Sequence, residues 1–215
     1  MQKHQFIVEK TSRYFTLGTL DEHTKVIWFV LHGYAQTADT FLKSLKDLQT
    51  ENVFIVAPEG LSRFYWKDFI GNPVASWMTK TDRETDIEDN IKYLNSLFNN
   101  IANSTKLHQI SIKVLGFSQG VATLSRWVFE DSFPIDEMYF YAGELAKELK
   151  FSESANYRNA SLYYLYGNQD FFIKDNFVLK LQEDFENQKL NLTTFTFNGK
   201  HQIHKDALNF IKQTK

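Results

Sequence analysis

The sequence contains no cysteine. Disulfide bridges, thiolate catalysis and thiol-ligated metal sites are therefore excluded, and a nucleophile in this chain has to be another residue, serine foremost. No apolar run reaches the roughly 18 residues of a membrane-spanning helix. The N-terminal stretch MQKHQFIVEK mixes charged and apolar residues where a signal peptide has an apolar run. We therefore expect a cytoplasmic protein without stable membrane insertion.

Clusters of basic residues are also missing. The 24 Lys and Arg and the 26 Asp and Glu are spread along the chain and give a formal net charge of −2. A phosphate backbone needs a basic patch, so nucleic acid is not expected as a partner. The histidines pair with no carboxylate at metal-ligand spacing, and the sequence has no phosphate-binding loop, so we expect neither a metal nor a cofactor.

Aromatic residues are abundant, with 20 Phe, 10 Tyr and 4 Trp, and 43% of the residues are hydrophobic. A chain of 215 residues with this composition can bury one large core, and we expect residues 1–215 to form a single domain.

Strand-type and helix-type segments alternate along most of the chain. Apolar runs closed by Gly or polar residues predict strands buried on both faces, namely KVIWFVLHG, VFIVAPEG, ISIKVLGFS, EMYFYAG, SLYYLYG and TTFTFNG. Segments with helical periodicity separate them, the clearest being Ile87, Ile91, Leu94, Phe98 and Ile101. Upstream, HQFIVEK and RYFTLGTL are typical of an antiparallel hairpin. The order predicts an α/β fold with a mostly parallel sheet, helices on both faces and an antiparallel N-terminal hairpin.

The segment IKVLGFSQG places Ser118 between two glycines, directly after a buried strand and before a helix. A G-x-S-x-G turn in this context exposes the serine hydroxyl at the carboxyl end of the sheet, as a nucleophile requires. The alternative is a serine that only caps the following helix. An oxyanion formed by attack needs backbone N–H donors, for which Gln119 and, in the loop LHGYAQ after the first central strand, Tyr34 are the candidates.

A serine nucleophile needs a base and an acid, which this type of sheet supplies from loops after later strands. Asp170 ends LYYLYGNQD and His201 ends TTFTFNGKH. The rivals are His204, which falls in the last helix, and two acids, Asp175 at the start of a helix and Glu144 after an earlier strand. We favour His201 because it lies nearest the strand end. We favour Asp170 because Asp175 more naturally caps a helix, and Glu144 follows the strand before the one that usually bears the acid.

The motifs LHGYAQ, GFSQG, YGNQD and GKH, in this order, resemble the phospholipase/carboxylesterase family of α/β-hydrolases, which includes acyl-protein thioesterases. The resemblance runs from about residue 26 to the C-terminus and implies Ser118 as nucleophile, His201 as base and Asp170 as acid. It also implies the Tyr34 and Gln119 amides as the oxyanion hole. The chain departs from the family at Val121, where another Gly is common, and in DFFI after the acid, so we expect a different pocket beside the site.

We therefore expect a serine hydrolase that cleaves small carboxylic esters or thioesters with short to medium acyl chains through an acyl-enzyme. A catalytically silent binding protein and an acyltransferase with the same three residues are the alternatives. The segment SWMTKTDRE resembles an aromatic loop of the family, so Trp77 and Met78 are candidates for the pocket wall. We expect only a minimal lid over the site. The loops at 61–81 and 143–160 are the segments that could cover it.

Several aromatic and histidine residues have plainer expected roles. Tyr65, Trp66 and Phe69 either belong to the site or cover a sheet edge. His32 is expected to brace the oxyanion loop through backbone hydrogen bonds. Three further histidines are expected at the surface, namely His4, His23 and His108.

Overall fold

The computed structural model describes residues 1–67, 70–105, 109–130 and 132–214. At Asp175 it describes the backbone only. Two residues with an expected role, Phe69 and His108, lie outside the described residues.

Seven strands form the central sheet, in the order β1-β3-β2-β6-β7-β8-β9. Their bounds are β1 Tyr14–Leu17, β2 Val26–Leu31, β3 Val53–Pro58, β6 Ser111–Phe117, β7 Glu137–Tyr141, β8 Ser161–Gly167 and β9 Leu192–Phe197. All neighbours pair in parallel except β1, which is antiparallel to β3. The two-stranded hairpin of β4 (Ser62–Tyr65) and β5 (Pro73–Ser76) stands apart from this sheet. The six predicted central strands are thus confirmed.

Helices cover both faces of the sheet. Their bounds are α1 Ala38–Ser44, α2 Arg83–Ala102, α3 Gln119–Phe129, α4 Ala155–Asn159, α5 Asp175–Asn187 and α6 Lys205–Gln213. Helices α2 and α3 pack against each other, and α6 contacts the short 3₁₀ helix Lys46–Leu48 that follows α1. The α2 residue Phe98 and the α3 residue Trp127 both contact the ring of Phe29 in β2, with ring centroids 5.4 and 5.5 Å apart. None of the helices among the described residues has the length and hydropathy of a transmembrane helix.

The antiparallel N-terminal edge is present, but its pairing differs from the prediction. Residues 4–10 form no strand, and β1 pairs with β3 instead, with Phe15 opposite Ala57. Phe6 and Ile7 are almost fully exposed, while the side chain of Gln5 donates a hydrogen bond to Thr85 on α2. Strand β1 gains a partner because the edge of the buried strand β3 offers unpaired backbone groups, and the HQFIVEK segment has no such edge beside it.

The two loops expected near the site contain secondary structure of their own. Residues 61–81 hold the β4–β5 hairpin, in which Phe64 lies opposite Val74. Residues 143–160 hold the 3₁₀ helix Phe151–Glu153 and α4. The prediction of a long irregular connection at 61–81 missed this hairpin.

Parallel pairing brings the carboxyl ends of the central strands to one edge of the sheet. Ser118 directly follows β6, Asp170 lies three residues after β8, and His201 lies four residues after β9. The sheet order places these strands on the same side of β2, whose own carboxyl end carries His32 and Gly33. The three side chains therefore converge although up to 83 residues separate them in sequence.

Candidate active site

Ser118 occupies a tight turn between β6 and α3. Its φ of 53° and ψ of −119° are strained for a residue with a side chain, a cost of about 1–3 kcal/mol that the surroundings must offset. The turn is held from both sides: the Ser118 N–H donates to the Tyr141 carbonyl at 2.9 Å, and the Val121 N–H donates to the Ser118 carbonyl at 3.0 Å. The backbone thus fixes the direction of the serine side chain.

The two glycines around Ser118 are required by close backbone contacts. A Cβ at Gly116 would lie 2.6 Å from the carbonyl oxygen of Gly120. A Cβ at Gly120 would lie 2.4 Å from the carbonyl oxygen of Leu31 in β2. Both distances are shorter than van der Waals contact and involve backbone atoms, so a larger residue at either position forces the turn away from the sheet.

Ser118, His201 and Asp170 form one hydrogen-bonded chain. The Nε2 atom of His201 lies 2.9 Å from Ser118 Oγ, and its Nδ1 atom lies 2.7 Å from Asp170 Oδ2. An ionised carboxylate can only accept, so Nδ1 carries the imidazole proton and Nε2 is free to accept from the serine hydroxyl. This is the tautomer that a general base for Ser118 needs.

The Asp170 carboxylate is buried and held on both oxygens. Its Oδ1 atom accepts from the backbone N–H of Phe172 at 2.8 Å and of Ile173 at 3.3 Å, which leaves Oδ2 for His201. Beside it, the N–H of Gln169 donates to the Gly199 carbonyl at 2.9 Å and so ties the Asp170 loop to the His201 loop. Backbone bonds therefore fix the positions of Asp170 and His201 relative to each other.

The backbone N–H groups of Tyr34 and Gln119 lie beside Ser118 and have no hydrogen-bond partner among the described residues. The loop that carries Tyr34 is fixed by the flanking residues: the Gly33 N–H donates to the side chain of Gln36 at 2.8 Å, and the Ala35 N–H donates to the Ala75 carbonyl at 3.0 Å. The two free donors are the ones expected to form an oxyanion hole.

His32 lies beneath this loop and is fully buried. Its Nδ1 donates to the Gly33 carbonyl at 2.7 Å, and its Nε2 accepts from the Gly60 N–H at 3.0 Å, as expected for a residue that braces the loop. Both bonds require the neutral imidazole. Burial lowers the pKa of His32 from 6.5 to about 4, against the opposing effects of its bond to Gly33 and of the nearby Glu59.

Of the two residues expected in the pocket wall, Met78 lines a cavity beside the site and Trp77 does not. The Trp77 side chain is 0% exposed, its ring lies against that of His32 with centroids 4.8 Å apart, and its indole N–H donates to the His32 carbonyl at 2.7 Å. The indole N–H needs a buried acceptor, and His32 offers one below the loop. Trp77 thus supports the loop that carries Tyr34 from the core.

The side chain of Gln119 joins the tight turn at Ser118 to the loop after β5. Its Oε1 atom accepts from the Trp77 N–H at 3.0 Å and its Nε2 atom donates to the Met78 carbonyl at 2.9 Å. A third bond joins it to the hydroxyl of Ser76. The residue with a free N–H next to Ser118 therefore also fixes one wall of the neighbouring cavity.

Tyr141 positions the His201 loop and was not among the sequence candidates. Its hydroxyl donates to the Gln202 carbonyl at 2.9 Å and accepts from the His204 N–H at 2.9 Å. Burial raises the pKa of this phenol, so it stays protonated. The available signal was its position at the end of β7, between the strands that carry Ser118 and Asp170.

The three rival residues have other partners or positions. His204 is the N-cap of α6, where its Nδ1 accepts from the Asp206 N–H at 3.2 Å. Glu144 is exposed and pairs with Lys147 at 2.6 Å. Asp175 is the first residue of α5.

The residues of the DFFI segment give this side of the site an aromatic rim. Phe172 stands edge-on to the His201 ring with centroids 4.9 Å apart and is 69% exposed, and Phe171 is 78% exposed. On the opposite side, the exposed Tyr34 contacts the rings of Phe64 and Trp66. The DFFI segment thus places an exposed aromatic ring, that of Phe172, beside His201. Among the described residues, no three His, Asp or Glu side chains are grouped as metal ligands.

Comparison with known proteins places the chain among serine hydrolases. Residues 22–210 match the family described as "Serine hydrolase (FSH1)". No curated protein matches the sequence. Similar solved structures include esterase PE8 (TM-score 0.71, 15% identity, 94% of this chain and 96% of that chain). Zea mays acyl-protein thioesterase 2 gives TM-score 0.69 at 16% identity over 94% and 96% of the two chains. A phospholipase/carboxylesterase from Dyadobacter fermentans gives 0.68 at 18% identity over 97% and 98%.

Proposed function

Because the chain belongs to the FSH1 family of serine hydrolases, we propose that it cleaves carboxylic esters or thioesters with short to medium acyl chains through Ser118. The observation that carries the proposal is the hydrogen-bonded chain from Ser118 through His201 to Asp170, on a strained turn at the carboxyl edge of the sheet. The α/β-hydrolase fold, which the similar esterase and thioesterase structures share, provides the framework for this chemistry.

The first half-reaction forms an acyl-enzyme. Ser118 Oγ attacks the carbonyl carbon while its proton passes to His201 Nε2, and the carbonyl oxygen becomes an oxyanion that accepts from the Tyr34 and Gln119 N–H groups. Asp170 stabilises the imidazolium through Nδ1–H. When the tetrahedral intermediate collapses, the bond to the leaving oxygen or sulfur breaks and His201 returns the proton to it.

The second half-reaction repeats these steps with water. His201 removes a proton from water, the resulting hydroxide attacks the acyl carbon, and the bond to Ser118 Oγ breaks as His201 gives the proton back to the serine. The products are a carboxylic acid and the free enzyme. A cavity of about 670 Å³, bordered by Tyr34, Gln119 and Met78, lies beside Ser118 and has room for the acyl chain.

Turnover of p-nitrophenyl acetate and of a short acyl thioester tests the proposal. Ser118→Ala is expected to lower kcat by about 10⁶, since the nucleophile is lost, and to abolish labelling by a fluorophosphonate. Ser96→Ala, which removes a hydroxyl bonded to the Lys92 carbonyl on α2, is the matched control and retains both. Undiminished hydrolysis by Ser118→Ala contradicts the proposal, as does a steep preference for long acyl chains.

A further inference from the structure

The cavity beside Ser118 carries an unusual set of charges. Three cationic residues line it, each from a different element: Arg63 from β4, Lys80 from the loop after β5, and Arg83 at the start of α2. None of the described residues that line it is an acid. The apolar part of the lining includes Phe64 and Met78. The cavity thus combines an apolar surface with three positive charges.

The neighbouring carboxylates offset this charge only in part, because none of them lines the cavity. Asp86 accepts from the backbone N–H and the hydroxyl of Thr79 at 2.8 and 2.9 Å, and Asp82 pairs with Lys3. Glu84 lies 3.5 Å from Arg83, but its side chain is 80% exposed, where an ion pair contributes little. Within the described part of the chain, neither of the other two cations is in an ion pair.

The position of the cavity indicates which part of a substrate enters it. Tyr34 and Gln119, which carry the free N–H donors, border the cavity, whereas His201 and Phe172 do not. The leaving group must lie next to His201 to receive its proton. The cavity therefore extends away from the leaving group and receives the acyl part.

We propose that the hydrolase is selective for esters or thioesters whose acyl chain ends in a negatively charged group, such as half-esters of dicarboxylic acids. The apolar wall of Phe64 and Met78 contacts the methylene groups, and Arg63, Lys80 and Arg83 hold the terminal anion. This inference rests on the proposed function, because it concerns the substrate of the same site. Three cations on a cavity that no described acid lines attract an anion and raise its local concentration.

The test compares p-nitrophenyl half-esters of succinate, glutarate, adipate and suberate with their methyl-capped neutral counterparts. At low ionic strength we expect kcat/KM to favour the acid over the neutral ester by about tenfold or more at the best chain length, and 1 M salt to reduce this ratio. A ratio of one or below at every length overturns the proposal. Hydrolysis of the neutral esters, lost in Ser118→Ala, tests the proposed function separately.

Charge-neutralising variants assign the preference to the three cations. Arg63→Gln, Lys80→Gln and Arg83→Gln are each expected to lower the acid-to-neutral ratio of kcat/KM by roughly two- to fivefold, as for an exposed charge pair. Lys150→Gln removes an exposed lysine that is paired with Glu153 and does not line the cavity, and it is the matched control. If a variant loses kcat/KM equally on both ester types, or loses none, the acid-to-neutral ratio stays at its wild-type value and the assignment is overturned.

Binding provides a readout that does not depend on turnover. Calorimetric titration of Ser118→Ala with the intact half-ester is expected to give a lower Kd than with the capped ester, and Arg83→Gln in the same background is expected to reduce the difference. Equal Kd values for the two esters contradict charge recognition even in a protein that hydrolyses neither.

Discussion

The protonation of His32 links the stability of the loop after β2 to pH. The imidazole is buried and neutral, donates to the Gly33 carbonyl and accepts from the Gly60 N–H. Protonation removes the acceptor at Nε2 and places a charge in the core. Because burial disfavours this charge, the pKa of His32 is lowered from 6.5 to about 4. An unfolded chain takes up the proton near the ordinary pKa, and the folded chain resists it.

The sign and size of the effect follow from this difference. Between pH 4 and 6.5 the unfolded state binds more protons at His32 than the folded state, so the free energy of unfolding rises with pH in this window. Above pH 6.5 the contribution is complete, and it is lost as the pH falls towards 4. Each pKa unit corresponds to about 1.4 kcal/mol, so His32 contributes about 3 kcal/mol to the free energy of unfolding above pH 6.5.

Urea denaturation followed by tryptophan fluorescence between pH 4 and 7.5 measures the effect. His32→Gln keeps a polar side chain without a titratable group, and we expect it to be less stable than wild type at pH 7 but to lose less stability on acidification. His23→Gln, which removes an exposed imidazole, controls for the loss of a histidine as such. If the His32→Gln and wild-type curves run parallel across the whole range, the assignment of this pH dependence to His32 is refuted.

Three further substitutions test the site. Asp170→Asn should lower kcat by about 10⁴, because the amide no longer fixes the imidazole tautomer, while thermal denaturation stays close to wild type. Gly120→Ala should destabilise the protein by about 1–3 kcal/mol and reduce activity, because its Cβ meets the Leu31 carbonyl; urea denaturation measures this. Gln119→Ala keeps its backbone N–H but loses the side-chain bonds to the Met78 loop. We therefore expect a loss of about 1–3 kcal/mol in stability and a lower kcat. An unchanged midpoint of denaturation would show that these side-chain bonds are dispensable.

The central sheet was predictable because its signal is local. A strand buried on both faces reads as a continuous apolar run, and the parallel order follows from connections long enough for a helix. The same reasoning places Ser118, Asp170 and His201 at one edge, since each follows a predicted strand. The structure then brings these three side chains within hydrogen-bonding distance.

The N-terminal hairpin shows where local pattern fails. The HQFIVEK segment has the composition of a strand, but a strand is stable only when its backbone finds an edge. The free edge of β3 is taken by β1, with Phe15 opposite Ala57. Nothing in residues 4–10 themselves encodes that outcome, because it depends on which of two adjacent segments reaches the edge.

The residues that hold the loops of the site in place could not be predicted, for a related reason. Trp77 was predicted to line the pocket because it lies in a loop rich in aromatic residues. Its side chain is buried instead, because its indole N–H donates to the His32 carbonyl, 45 residues earlier in the chain. Tyr141 holds the His201 loop from 61 residues upstream, through the Gln202 carbonyl. Such bonds join side chains to backbone atoms of distant loops, so the sequence pattern contains the donor but not its acceptor. The three side chains that meet in this hydrogen-bonded chain could therefore be predicted from their order along the sequence, whereas the residues that hold them in place required the structure.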